Sequence, residues 1–371
     1  MNDSSAPRIR VLIVDDSATA RRLVSKALSA QPDIEVIGFA DNGRLALERV
    51  AADRPDAVVL DLEMPEMDGL TALRELKLRH AGLPVLVFSA QTQRGAGATV
   101  DALLAGADDY VLKPASTSLS GTNWATAQVE LAAKLRAVTG RARGVAAPPK
   151  GSPAPLSLRP AQAPRVAVKA VAIGTSVGGP EALAVLLPRF SADFAVPLLI
   201  VQHMPANFTA ALAKRLSEKS RLRVVEASHG QTVEAGVAYL APGDYHLRVS
   251  RRHGSVKLLL DQGPLENGCR PSVDPLFQSA SVVYGASLLA LVLTGMGSDG
   301  VEGARSVGAL GGHVWIQDQH SAMIWGMAGA VARAGLARRT VPLLEMGRAV
   351  EAAVAAGLPI LPVTQHGASG A

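Results

Sequence analysis

The chain has a single cysteine in 371 residues, Cys269, so no internal disulfide can form and no pair of thiols stands at zinc-finger spacing. With no partner motif beside it, Cys269 reads as a free structural thiol. Aromatic residues are scarce, at 4%, which argues against a stacking platform for single-stranded nucleic acid. Charged residues make up only 19% against 48% hydrophobic ones, a balance that excludes disorder throughout. No run approaches the roughly 18 apolar residues of a membrane span. Residues 1–10 are polar and lack the apolar core of a signal peptide, so a cytoplasmic chain without membrane insertion is expected.

The length exceeds the roughly 100 to 200 residues of one domain and favours two. Composition breaks once, in a Pro-, Ala- and Arg-rich stretch at 139–165 that has no acidic residue and no hydrophobic period. It reads as an extended linker. The expected layout is a first domain at 8–138, this linker, a second domain at 166–358 and a tail at 359–371. The formal charge of +5 and pI near 9.5 suggest a polyanion partner until the excess is located: −3 in residues 1–138, +5 in 139–165 and +3 in 166–371. The linker carries an amount equal to the whole net charge, so no concentrated basic face remains to support nucleic-acid binding.

In the first half, apolar runs at 11–14, 35–39, 57–60, 85–88 and 109–112 alternate with helical patterns at 21–30, 44–51 and 124–138. Strands that read as continuous apolar runs are buried on both faces, which predicts a doubly wound parallel sheet. The alternation returns at 168–173, 197–201 and 288–294, predicting a second α/β sheet. Between them, 237–240, 246–249 and 255–260 read as an inserted hairpin or β-meander.

In parallel sheets function gathers at the carboxyl ends of strands. In the first half those ends carry Asp15 and Asp16, Asp61, Ser89, and Lys113 followed by Pro114. Three converging carboxylates repel one another unless they hold a hard cation such as Mg²⁺, and Asp61 is then placed to attack phosphorus with Lys113 offsetting charge. Singly, each Asp reads better as a cap or a solvated turn carboxylate. Together, with VLIVDDS (11–17), LDLEMPEMDGL (60–70) and DDYVLKP (108–114), they resemble the receiver domain of two-component response regulators, with its flavodoxin-like fold. That resemblance makes Asp61 the phosphoacceptor, Asp15, Asp16 and the backbone carbonyl of Glu63 the Mg²⁺ ligands, and Ser89, Tyr110 and Lys113 the switch residues.

In the second half, the first strand runs into Gly174-Thr175-Ser176-Val177-Gly178-Gly179-Pro180, a strand–turn–helix context for a nucleophile elbow, though a Gly/Ser-rich turn serves equally as a phosphate cradle. His203 and Asp299 follow two further strands, so a serine, an imidazole and a carboxylate occupy three carboxyl ends of one sheet. Glycines around Met296 leave backbone N–H groups for an oxyanion. The order Ser, His, Asp differs from that of α/β-hydrolases. His80, His229, His246, His253, His313, His320 and His366 are weaker candidates for the base, with a solvated or structural role as their default.

With QHMPANFT (202–209), YLAPGDYHL (239–247), CRPSVDPLF (269–277) and GGHVWIQD (311–318), the two halves in this order resemble the CheB family of chemotaxis response-regulator methylesterases, over about 166–345 for the second half. The resemblance implies a Rossmann-like catalytic domain in which Ser176 is nucleophile, His203 general base and acid, Asp299 its orienting carboxylate and Met296 a backbone oxyanion donor. It implies hydrolysis of glutamate γ-methyl esters on methyl-accepting chemotaxis receptors, with deamidation of receptor glutamine in many members. It also implies a chemotaxis histidine kinase as phosphodonor, Mg²⁺ for phosphorylation, no cofactor for the ester chemistry, and a monomer whose unphosphorylated receiver covers the Ser176 cleft. Thr175 and Val177 stand where the family usually has Ala and Thr, Gln319 and His320 replace Glu-Thr, and Ala328 replaces Pro; these departures bear on substrate choice and deamidation. Two rival readings are a DNA-binding output, which a sheet-forming second half does not offer, and a catalytically silent adaptor.

Overall fold

The computed structural model describes residues 7–90, 92–114, 122–140 and 164–360 and divides into two compact units after Arg143. Most of the linker expected at 139–165, and the tail beyond 360, lie outside the described residues.

In the first unit, β1 (Ile9–Val14), β2 (Ile34–Ala40), β3 (Ala57–Leu60), β4 (Val85–Ser89) and β5 (Asp109–Leu112) pair in the order β2-β1-β3-β4-β5, every pairing parallel. Helices α1 (Ala18–Ser29), α2 (Gly43–Asp53), α3 (Gly69–Arg79), α4 (Gln93–Leu104) and α5 (Thr122–Val138) cross between them. Ser17, Asn42, Asp68 and Thr92 each accept a backbone N–H three residues on, so four helices start where a capping side chain offers an acceptor. One core joins Ile9, Val11, Ile13, Leu86 and Phe88 of the sheet to Leu131 and Leu135 of α5. The strand order reverses between β1 and β3, which places the crevice at their carboxyl ends.

The second unit contains β6 (Arg165–Val166), β7 (Ala170–Thr175), β8 (Leu198–Gln202), β9 (Arg223–Glu226), β10 (Val237–Leu240), β11 (His246–Arg252), β12 (Ser255–Asp261), β13 (Leu288–Val292), β14 (His313–Gln317), β15 (Arg339–Val341) and β16 (Leu358–Pro359). Seven of them form one parallel sheet in the order β15-β14-β13-β7-β8-β10-β9. The helices are α6 (Gly179–Leu186), α7 (Phe208–Lys219), α8 (Val273–Tyr284), α9 (Val301–Ala309), α10 (Met327–Arg333) and α11 (Leu343–Ala356). Chain direction across the sheet reverses at β7, so its carboxyl end and those of β8 and β13 frame the crevice.

The doubly wound parallel architecture expected from the sequence is present in both units. One assignment is corrected. Residues 237–240, read as part of a hairpin or meander, form β10 inside the parallel sheet, between β8 and β9. All four are buried, as a strand covered on both faces requires. Only β11 and β12 form the antiparallel hairpin. His246 takes the structural of its two expected roles: it is buried in β11, its Nε2 lies 2.9 Å from Pro264 O and its Nδ1 accepts the Ser272 N–H. No described helix is long and apolar enough to cross a membrane.

Candidate active site

Ser176 stands one residue past β7, at the turn into α6. Gly178, with φ of 74°, makes the bend, and Pro180 near the start of α6 fits where a backbone N–H has no helical acceptor. The Ser176 N–H donates to Thr294 O at 3.0 Å, and Gly179 N–H donates to Ser176 O at 2.8 Å, fixing the nucleophile candidate between β7 and the end of β13. Thr175 adds a hydroxyl bond to Thr294 O at 3.0 Å. The serine hydroxyl makes no hydrogen bond among the described residues.

Register brings His203 to Ser176. Thr175 pairs with Gln202 across β7 and β8, and the His203 N–H donates to Thr175 O at 3.1 Å. The Gln202 amide Nε2 donates to Ser176 O at 2.9 Å and to His203 O at 3.1 Å, clamping the two segments together. That clamp was not anticipated; a buried Gln ending an apolar strand is its only trace in the sequence.

His203 Nε2 lies 2.7 Å from Asp299 Oδ2. Asp299 in turn occupies the start of α8, whose first N–H groups have no helical acceptors. Val273 N–H donates to Oδ2 at 2.6 Å, and Ser272 Oγ, Gly300 N and Asn267 Nδ2 donate to Oδ1 at 2.8, 2.9 and 2.8 Å. Burial would raise this carboxyl, but His203 and these donors hold it down at about 2. Burial likewise opposes charge on His203, yet Asp299 and the neighbouring Cys269 thiol raise the imidazole to about 9. Cys269 Sγ lies 3.5 Å from Nδ1, so the free thiol is part of this cluster rather than a remote packing residue. Asp274 is pushed up to about 6, by burial and by the facing Asp299.

Gly295 packs its Cα against Ser176, where an added Cβ would come within 2.8 Å of Ser176 Cβ. The Gly295 carbonyl is taken by the N–H groups of Gly326 and Met327, whereas the N–H of Met296 donates to no protein acceptor among the described residues. The N–H expected as oxyanion donor is therefore unspent, one residue past the Gly295 that packs on Ser176.

In the first unit, Asp15, Asp16 and Asp61 bring carboxylate oxygens within 4.8 Å of one another. Lys113 Nζ stands 2.8 Å from both Asp15 Oδ2 and Asp61 Oδ2. Burial raises the Asp61 carboxyl despite Lys113, and the two carboxylates raise Lys113 against its own burial. A cavity of about 310 Å³ is lined by Asp16, Asp61, Glu63, Ser89 and Lys113. Hard oxygen donors around such a space fit a Mg²⁺ ion. Ser89 Oγ accepts from Thr99 Oγ1 at 2.5 Å, a buried partner that the sequence did not reveal. Tyr110 is buried in β5 with Lys134 Nζ 4.8 Å from its ring centre, and burial, with Asp109 beside it, pushes its phenol well above the usual range.

Comparison with known proteins follows this division. A CheB methylesterase family model matches residues 171–350 and a response regulator receiver domain model matches 11–119. A protein-glutamate methylesterase/protein-glutamine glutaminase from Nocardioides sp. (strain ATCC BAA-499 / JS614) is 48% identical over 92% of this chain and 94% of its own. One of the same name from Trichodesmium erythraeum (strain IMS101) is 42% identical over 93% and 98%. The crystal structure of the Thermotoga maritima CheB methylesterase catalytic domain superposes with TM-score 0.49 and 38% identity, covering 50% of this chain and 99% of that one.

Proposed function

The chain belongs to the CheB methylesterase family, and from that membership we propose that Ser176, His203 and Asp299 carry its ester hydrolysis. It is a receiver-regulated protein-glutamate methylesterase: it cleaves glutamate γ-methyl esters and releases methanol. The observation that carries the residue assignment is the His203–Asp299 contact of 2.7 Å beside the Ser176 elbow.

With Asp299 ionised, Nε2 of His203 bears the ring proton and donates it to the carboxylate, leaving the Nδ1 lone pair to accept the proton of Ser176 Oγ. Oγ adds to the ester carbonyl carbon, and the carbonyl oxygen takes up negative charge facing the Met296 N–H. Collapse expels methoxide, which takes the proton from Nδ1 and leaves as methanol. Water, deprotonated at the same nitrogen, then attacks the acyl-serine and restores the carboxylate and Ser176. A glutamine amide follows the same course with ammonia leaving, which is the basis for deamidation.

Methyl-accepting chemotaxis receptors are the substrate and a chemotaxis histidine kinase the phosphodonor in this reading. Asp15, Asp16, Asp61 and the Glu63 carbonyl would hold Mg²⁺, which when bound would offset charge on the phosphoryl oxygens. Lys113 holds Asp61 oriented and neutralises charge there, and phosphorylated Asp61 raises the esterase rate through a population shift. A sulfonyl fluoride tests the nucleophile: the reading expects Ser176 to be the labelled residue by peptide mass mapping and labelling to collapse in His203→Gln. Labelling elsewhere, or labelling indifferent to His203, contradicts it.

A further inference from the structure

Residues 266–269 form a tight turn at the edge of the candidate site. Glu266 N–H donates to Cys269 O at 3.1 Å and Cys269 N–H donates to Glu266 O at 2.9 Å. The two central residues, Asn267 and Gly268, have φ of 53° and 75°. This is the backbone of a type I′ turn, for which Asn-Gly, Asp-Gly and Gly-Gly are all suitable pairs. Turn geometry alone does not explain why asparagine stands here.

The side chain does. Asn267 Nδ2 donates to Asp299 Oδ1 at 2.8 Å and to Asp274 Oδ2 at 2.8 Å, so one uncharged NH₂ group bridges two carboxylates. Asp274 is itself anchored, accepting the Gly303 N–H on Oδ1 at 2.6 Å at the start of α9. Two carboxylates this close repel, and a donor shared between them offsets part of the repulsion without adding charge. An aspartate at 267 would suit the turn but face both with a third negative group, and glycine would suit it but remove the donor the two carboxylates share. The other end of the turn sets Cys269 Sγ 3.5 Å from His203 Nδ1. One turn therefore reaches both members of the base pair.

We propose that Asn267 is a positioning residue for ester hydrolysis, its amide fixing the plane of the Asp299 carboxylate against His203 by tying it to Asp274. This deepens the assignment of Ser176, His203 and Asp299 and rests on it. Asn267 does not touch the reacting atoms; it restricts the angle at which His203 is presented to Ser176, and misorientation of that kind costs rate rather than affinity.

The test compares the full chain with Asn267→Gly, which accepts the positive φ without strain, and Asn267→Asp, which keeps side-chain size but exchanges donors for charge. Methanol release from a methylated receptor preparation is followed as kcat and KM, with thermal melting of the same samples. The expected result is a kcat lower by about 10- to 100-fold in both variants, with KM and melting unchanged. In Asn267→Asp the rise of kcat/KM with pH also moves to higher pH, because the new carboxylate joins Asp299 and Asp274 around His203, whose other nitrogen faces Cys269. Wild-type kcat in both variants, or losses matched by loss of folded protein in both, overturns the proposal. Ser176→Ala separates the two levels: if it is inactive while the Asn267 variants behave as wild type, only the positioning role fails, and if it remains active the underlying assignment fails as well.

Discussion

Cys269 Sγ stands 3.5 Å from Nδ1 of His203, the ring nitrogen left over once Asp299 engages Nε2 at 2.7 Å. The only cysteine of the chain thus faces the ring nitrogen that Ser176 needs, and the base must shed this contact to act. The raised pKa of His203, about 9, follows from the same arrangement, since both neighbours favour the charged ring over the penalty of burial.

The pH dependence is the first consequence. A general base works when neutral, so kcat/KM should rise with pH through about 9 rather than near the usual imidazole value of 6.5. Cys269→Ala removes one of the groups that raise His203, so the rise should move to lower pH and the rate at pH 7 should increase. A wild-type profile already flat above pH 7, or one unmoved by the substitution, contradicts this. The same shift bears on stability: a group raised from 6.5 to about 9 stabilises the fold fully below 6.5, and that contribution is lost as pH climbs through 9.

Close approach around the serine gives a second prediction. A methyl at Gly295 would come within 2.8 Å of Ser176 Cβ and 2.4 Å of Met327 Sδ, and one at Gly179 within 1.9 Å of Gln202 Oε1. Gly295→Ala should displace the nucleophile itself, and Gly179→Ala the Gln202 clamp on Ser176 and His203. Both are expected to lower kcat by about 10-fold or more, as misplacement near the reacting atoms does. Full activity in either would show that the elbow has more room than the packing allows.

In the receiver unit, Lys134 Nζ lies 3.0 Å from Asp109 Oδ2 and 2.6 Å from Tyr110 O. Asp109 is buried and Lys134 partly so, and removing the lysine leaves the buried carboxylate without its cation. Lys134→Met should cost about 3 to 5 kcal/mol of stability in denaturant unfolding of the receiver transition. A cost below about 1 kcal/mol, the range of an exposed pair, would contradict the burial argument.

Phosphoryl uptake gives the fourth. Asp15, Asp16 and Asp61 crowd three carboxylates with Lys113 opposite, so chelating divalent cations should abolish transfer from a small-molecule phosphodonor. Asp61→Asn should abolish both the transfer and its acceleration of methanol release. Acceleration that survives Asp61→Asn would remove Asp61 from the regulatory account.

Much of this was legible in the sequence because parallel strands buried on both faces are continuous apolar runs, and their functional residues sit one or two positions beyond them. Asp61, Ser176 and His203 are such residues. Strand β10 was not legible as part of the sheet: its four residues lie in a Gly- and Pro-rich stretch that looks like a meander, and only the pairing with β8 and β9 distinguishes it. The supporting shell was less legible still. Cys269 is 66 residues from His203, and Asn267 is 32 from Asp299, so neither contact has a local signal. The Asn-Gly pair at 267–268 marks a turn, but not that its amide points at two carboxylates.

The central claim is that Ser176 performs the hydrolysis. Methanol release from a methylated receptor preparation, measured with phosphodonor and Mg²⁺ for wild type and Ser176→Ala at matched folded concentration, tests it most directly. The account predicts turnover by the wild type and a loss of about 1,000-fold or more in the variant, the scale on which a serine nucleophile contributes. Turnover by Ser176→Ala at the wild-type rate, or none by either protein, would contradict it, the second outcome pointing to an adaptor rather than an enzyme.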